Sequence, residues 1–344
     1  MIAGLSVGRG EKVSTLVNVS RLPPSTAHQL QIPITVISGS QAGPTLCITA
    51  GMHSTEYAPI VASHKLAKTV MPEDLSGNLV ILPLVNPFGV ETLSLRVNPI
   101  DNVNLNRIFP GDPSRSASYQ MAHFLLAKII TKADYYIDIH SGELNESLYP
   151  FGIYCSSRYD NELSQRSLAL LQCFTPITNV WKVDLTEKEE AADERGEDSA
   201  SEDAQSGFSI TQAFKKKVAS AIVEIGNGGA VDRATIDMIL DCFQNVLAHL
   251  GMNGKAGGFD ERGNHALKVT EKAFYLKINN NGIAYLSVKA GEKIRAGGKL
   301  AEIRSLQDDI LETVVSPSDS IVVVERVNPL VRSGDILFLL LGLS

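Results

Sequence analysis

The sequence predicts an α/β domain with a largely parallel or mixed sheet, followed by a small all-β domain. Three observations carry this. Short apolar runs of strand length alternate with helix-period segments as far as Leu250. The pattern stops at Gly257-Gly258. From about Val269 onward only short alternating strands with glycine-rich turns follow, with no helix period. A length of 344 residues suits one large and one small domain. The expected division is 1–260 for the large domain and 266–344 for the small one.

Taken in order, the first stretch is strand-like and is expected to end in a turn at Gly43-Pro44. Leu46–Ala50 is a short apolar run closed by Gly51, and Ala58–Lys68 has helical character. Leu79–Val85 is a second apolar run, ending at Asn86-Pro87. Ser116–Lys132 reads as an amphipathic helix, Tyr135–Ile139 as a third strand and Glu162–Cys173 as a helix. Ala219–Ile225 is a fourth strand, ending in Gly226. Ile236, Ile239, Leu240, Phe243, Val246, Leu247 and Leu250 then recur at helix spacing. In the tail, Ile283–Val288, Leu300–Ile303, Ile310–Val315, Ile321–Glu325 and Ile336–Leu341 are the predicted strands.

Composition narrows the function. The residues are 44% hydrophobic and 20% charged, enough for a sizeable core, and the net charge is −7. That charge argues against a broad grip on nucleic acid or an anionic membrane. No apolar run approaches the roughly 20 residues that span a bilayer, and Met1 to Arg21 lacks the basic start and apolar core of a secretory signal. Four scattered cysteines without a CxxC pair read as reduced thiols, so a cytoplasmic location is expected. One segment is unusual. Asp184 to Ser206 holds ten acidic and two basic residues, a net −8 that leaves the rest of the chain at +1. It is expected to be a mobile acidic loop.

Four polar clusters lie just past the predicted strands, where open α/β sheets place their sites. They are Gly51 to Glu56, the loop carrying Arg96 and Asp101 to Arg107, Asp138 to Gly142, and Glu224 to Gly226. His53, Glu56 and His140 supply two imidazoles and a carboxylate, the donor set of a catalytic zinc site with an open position for water. A lone HxxE is ordinarily a surface pair one helical turn apart, and a lone strand-end histidine is ordinarily just hydrogen-bonded. Together beyond short strands they point to metal. Asp138 shares a strand face with His140 and is expected to fix a ligand histidine's tautomer, most plausibly that of His53. Glu224 ends an apolar strand, a costly place for a carboxylate unless it is paired or acts as a base. Asn106, Arg107 and Arg96 offer amide and guanidinium donors to a substrate carboxylate or a developing oxyanion.

The segments GMHSTE (51–56), NPFG (86–89), PIDNVNLNRIFPG (99–111), DIHSG (138–142) and VEIGNGG (223–229) resemble the succinylglutamate desuccinylase/aspartoacylase family, relatives of the zinc carboxypeptidases. The similarity runs from about Ile34 to the C-terminus. It implies a carboxypeptidase-like mixed sheet with helices on both faces and a barrel-sandwich-like second domain. By the same resemblance His53, Glu56 and His140 bind one zinc ion and Glu224 is the catalytic glutamate. Asn106 and Arg107 form the carboxylate clamp, and Arg96 polarises the carbonyl. Two positions depart from the family pattern: Ser54 stands where glycine is usual, and Asp101-Asn102 where Asp-Gly is frequent. The second domain is also similar to biotinyl and lipoyl carriers, but its expected hairpin tip, Ser305 to Asp309, has no lysine. A structural or site-covering role is therefore expected.

The expected activity is zinc-dependent hydrolysis of a small N-acyl amino acid, with no nucleic-acid or membrane partner and a homo-oligomer left open. The alternatives are a metallocarboxypeptidase acting on short peptides, a non-catalytic binding protein of the same fold, and a ferrous site, which two histidines and a carboxylate also suit.

Overall fold

The computed structural model describes residues 1–19, 30–185, 205–253 and 266–343. Residues 186–204, most of the acidic loop, and the expected boundary at Gly257-Gly258 lie outside the described residues.

The first domain contains β1 (Lys12–Asn18), β2 (Gln31–Ser38), β3 (Gln41–Ala50), α1 (Tyr57–Thr69), β4 (Ser76–Leu82), α2 (Phe88–Thr92), α3 (Ala117–Lys128) and β5 (Tyr135–His140). There follow β6 (Glu146–Leu148), β7 (Phe151–Ser156), α4 (Asn161–Gln172), β8 (Asn179–Asp184), α5 (Ser209–Lys215), β9 (Ala219–Glu224) and α6 (Arg233–His249). The remainder is β10 (Lys268–Thr270), β11 (Ala273–Lys277), β12 (Gly282–Leu286), β13 (Lys293–Ile294), β14 (Lys299–Arg304), β15 (Ile310–Val315), β16 (Ser320–Arg326), β17 (Leu330–Val331) and β18 (Ile336–Gly342).

Nine strands form one mixed sheet in the order β1-β2-β4-β3-β5-β9-β7-β8-β10. Its centre, β4-β3-β5-β9, is parallel, so four carboxyl ends share one edge. Both faces are buried. Along β3, Cys47 enters one core, while Leu46, Ile48 and Ala50 enter the other. The first core includes apolar residues of α3 and α5; the second includes those of α1, α4 and α6. Such two-sided burial explains why these strands read as unbroken apolar runs. Helix starts follow local chemistry: Asp160 caps α4 by accepting from Leu163 N at 3.1 Å, and Asp232 caps α6 through Thr235 N at 2.8 Å.

The tail folds into two facing sheets, β11-β18-β16-β13 and β15-β14-β12-β17, around Leu300, Ile303, Val322, Phe338 and Leu340. The opposite face of the first of these sheets is also apolar. Ile321, Val323, Leu339 and Leu341 join the core that holds Trp181 and Phe208. The two domains also exchange strands. β6 pairs with β16, and β10 extends the nine-stranded sheet beside β8. Residues 268–270 therefore belong structurally to the first domain's sheet, although they follow the expected division.

Two local expectations change. Gly43-Pro44 lies inside β3, where the ladder to β4 shifts register between Gln41 and Thr45. The chain turns earlier, at Gly39-Ser40, between β2 and β3. The helix expected to reach Lys132 stops at Lys128, because Ile129 leaves helical geometry at φ −127°, and a 3-10 turn takes 130–132.

Candidate metal centre

Three of the four parallel carboxyl ends build the site. β3 is followed by Gly51, whose φ of +63° turns the chain toward Ser54 and the start of α1. His53 lies in this turn, and Glu56 sits at the N-cap of α1. Ser54 Oγ donates to Asn86 O at 2.5 Å, so the departure from the usual glycine tethers the His53 turn to the segment after β4. His140 is the last residue of β5 and Glu224 the last of β9; the two are Cα partners across the ladder.

Donor atoms of His53, Glu56 and His140 all lie within 4.8 Å of one another. His53 Nδ1 is 2.7 Å from Glu56 Oε1, and His140 Nδ1 is 2.9 Å from Glu56 Oε2. The second contact is not aligned as a hydrogen bond, which leaves Oε2 buried without a donor. An orphaned carboxylate oxygen between two ring nitrogens is what a metal ion would satisfy. The outer ring nitrogens are matched to acceptors. His53 Nε2 faces Asn104 Oδ1 at 3.2 Å, and His140 Nε2 faces Asp138 Oδ2 at 3.1 Å. The Nδ1 side of each ring faces Glu56: as Nδ1–H it donates to the carboxylate, as in His53, and once that proton is lost its lone pair is available to a metal ion.

Asp138 therefore orients His140 and not His53, a correction to the expectation. Two residues apart on one strand face, the carboxylate meets the ring in its own strand before one from the neighbouring turn. Thr49 Oγ1 and Ser209 Oγ each donate to Asp138 at 2.7 Å.

The electrostatics follow from burial and from these contacts. Burial pushes the Glu56 carboxyl up, but the charges of His140 and His53 overcome it and hold it at about 2. Burial pulls His140 down, and Glu56 with Asp138 more than reverses this, leaving it well above its usual value. Glu224 is raised to about 8 by burial, reinforced by Glu56, Glu146 and Asp138 and opposed by His140.

A cavity of about 530 Å³ adjoins the His53 side, lined by Arg96, Asn104, Arg107, Glu143 and Glu146 among others. The second domain closes it with Tyr275, Lys277, Arg326 and Asp335. Arg96 is ion-paired with Glu146, which raises its pKa further. Arg107 lies over the Phe208 ring, 4.6 Å from its centroid, and donates from Nη1 to Asn106 O at 2.9 Å. Asn106 is 3% exposed. Its Oδ1 accepts from Ser209 N at 2.9 Å, and its Nδ2 lies 3.3 Å from His140 Nε2.

Sequence reasoning overlooked Glu143, Glu146, Asn104, Ser209 and Tyr275. The two glutamates had a visible signal, since they stand three and six residues after His140. Tyr275 had none, because only the docking of the second domain brings it to the cavity.

Comparison with known proteins agrees with this architecture. Residues 42–250 match the model of the succinylglutamate desuccinylase/aspartoacylase catalytic domain. An N-alpha-acetyl-L-2,4-diaminobutyric acid deacetylase from Halomonas elongata is 26% identical over 313 residues, covering 89% of this chain and 84% of that protein. A succinylglutamate desuccinylase/aspartoacylase structure from Rhodobacter sphaeroides superposes with a TM-score of 0.80 at 23% identity, covering 99% and 98% of the two chains. A product-bound ectoine utilization protein from Ruegeria pomeroyi gives 0.78 at 24% identity, with the same coverage. The expected mixed sheet with helices on both faces and an all-β second domain thus holds, and the chain belongs to the succinylglutamate desuccinylase/aspartoacylase family.

Proposed function

We propose that this protein is a zinc-dependent hydrolase that splits the amide bond of a small N-acyl amino acid into a carboxylic acid and an amine. The observation that carries the reading is the pairing of His140 with Glu224. A metal donor and a carboxylate with its pKa raised to about 8 end adjacent strands beside His53 and Glu56.

His53, Glu56 and His140 would hold the zinc, which when bound acidifies water and polarises a carbonyl. Glu224 accepts the proton of the attacking water and passes it to the departing amine nitrogen as the C–N bond breaks. Arg107, with its guanidinium carbon over the Phe208 ring, presents a planar fork to the substrate carboxylate. Asn106 helps it. Asn106 Nδ2 lies 3.3 Å from His140 Nε2, and the amide has a second N–H that can donate to a substrate oxygen. Arg96, fixed by Glu146, uses its other N–H donors for the oxyanion.

The cavity of about 530 Å³, walled on one side by the second domain, favours a small substrate over a polypeptide. The test is elemental analysis of the purified protein, then turnover of a panel of N-acyl amino acids and short peptides. Stoichiometric zinc with hydrolysis confined to N-acyl amino acids is expected. Cleavage of the peptides alone would replace the reading with a carboxypeptidase, and a protein that holds no zinc would overturn it.

A further inference from the structure

Ser209, the first residue of α5, is fully buried behind the metal donors, and its two polar groups serve two different parts of the site. The hydroxyl donates to Asp138 Oδ2 at 2.7 Å, and that same oxygen lies 3.1 Å from His140 Nε2. The backbone N–H donates to Asn106 Oδ1 at 2.9 Å. With Oδ1 so engaged, the Asn106 amide cannot flip without losing this bond, and Nδ2 is left as the end that donates. One residue thus fixes an oxygen behind a metal donor and the orientation of a clamp amide.

The backbone around Ser209 is itself held. Gly207 O accepts from Phe109 N at 3.1 Å, and a Cβ at Gly207 would overlap Arg107 O, so the chain before Ser209 packs backbone to backbone against the clamp segment. The Phe208 ring lies under the Arg107 guanidinium carbon. Two side chains of α5 reach back to the turn before it: Thr211 Oγ1 donates to Gln205 O at 2.7 Å and Gln212 Nε2 to Ser206 O at 2.9 Å. Residues locked in this way set the positions of the groups that they touch.

We infer that Ser209 is a positioning residue that sets His140 and the carboxylate clamp relative to one another. Its hydroxyl acts through Asp138 on the metal centre, and its N–H acts through Asn106 on substrate binding. This rests on the deacylase reading and deepens it. Thr49 also donates to Asp138, but to the other oxygen, Oδ1, so losing the Ser209 hydroxyl weakens the support of Asp138 without removing it.

Two substitutions separate the two arms. Ser209→Ala removes the hydroxyl and keeps the N–H. Ser209→Pro removes both; the first turn of a helix tolerates proline, and Phe208, at φ −68° and ψ 145°, has the extended geometry that precedes one. Chelator competition reads zinc affinity without turnover, and kcat and KM are measured on an N-acetyl amino acid with the enzyme saturated with zinc. Ser209→Ala is expected to weaken zinc binding about three- to tenfold, with KM within about twofold of wild type. Ser209→Pro should bind zinc as Ser209→Ala does and raise KM at least about fivefold beyond it. Because the hydroxyl acts through Asp138, adding Ser209→Ala to Asp138→Asn should weaken zinc by less than about twofold more. Ser220→Ala removes another buried serine hydroxyl that bonds α5, at Ile210 O and 3.0 Å, and should leave zinc affinity and KM unchanged. Wild-type zinc affinity in a folded Ser209→Ala, additive losses in the double variant, an equal loss in Ser220→Ala, or equal KM values for Ser209→Ala and a folded Ser209→Pro would each overturn the proposal. Zinc affinities that follow the expected pattern without hydrolysis of any N-acyl amino acid would keep Ser209 as a positioning residue of the metal centre and remove the deacylase reading with its clamp. A wild type that binds no zinc would remove both.

Discussion

His140 and Glu224 close two adjacent parallel strands as Cα partners, so one ladder rung delivers an imidazole and a carboxylate to the same place. Glu224→Gln keeps the shape of the side chain and removes its proton-accepting role. Turnover is expected to fall at least about a hundredfold, the usual scale for losing a positioned proton-transfer group, while zinc content stays stoichiometric. Near-normal turnover with bound zinc would assign the base elsewhere.

His53→Ala and His140→Ala each leave two donors where three converged. Both variants should lose stoichiometric zinc by elemental analysis after dialysis, because two donors do not hold the ion with useful affinity. Full retention in both would place the metal at other residues.

Asp138 holds His140 Nε2 at 3.1 Å and is itself held by Thr49 and Ser209. Asp138→Asn should weaken zinc binding by about 10–100-fold in competition with a chelator, the usual cost of losing such an orienting partner. Wild-type affinity in this variant would show that the imidazole needs no carboxylate behind it.

The Arg107 guanidinium is braced by Phe208 and by Asn106 O. Amidating the carboxylate of an active substrate should lower kcat/KM by an amount equivalent to about 2–4 kcal/mol, and Arg107→Ala should erase the difference between acid and amide. Arg107→Lys should also be impaired, because an ammonium cannot reproduce the planar fork. Equal rates for acid and amide in wild type would remove the clamp.

In the metal-free protein, Glu224 also governs part of the pH dependence of stability. Its folded pKa of about 8 lies above the ordinary 4.5, because burial disfavours the charged form. Its contribution is therefore fully present below about 4.5 and is lost as pH rises through about 8. Over that window wild type should lose up to about 1.4 kcal/mol per pH unit from this group, and Glu224→Gln should lack that slope. Urea denaturation of chelator-treated protein between pH 5 and 8 reads the difference. Parallel curves for the two proteins would mean that Glu224 is not held protonated.

Much of the site was written in short local patterns. Strands buried on both faces are apolar along their whole length, so β3, β5 and β9 stood out, and polar residues just past their ends marked the edge where a ligand is met. β7 and β8 were overlooked, since FGIYCS carries a glycine and NVWKVD a lysine within the strand, so neither reads as an unbroken apolar run. α5 spans only seven residues, too few for a helix period to be read.

The sequence by itself determined the donor types, the order α/β then all-β, and the carboxylate that ends β9, because each is set by neighbours within a few residues. Tertiary structure decided the rest. Asp138 faces His140, Arg96 meets Glu146 and Tyr275 joins the cavity because of how separate segments are packed against one another. The docking of the second domain is the clearest case. Ile321, Val323, Leu339 and Leu341 look like ordinary strand residues, and their burial in the first domain's core follows only once both faces of their sheet are covered. Strand alternation records which residues share a face, but not what will cover that face.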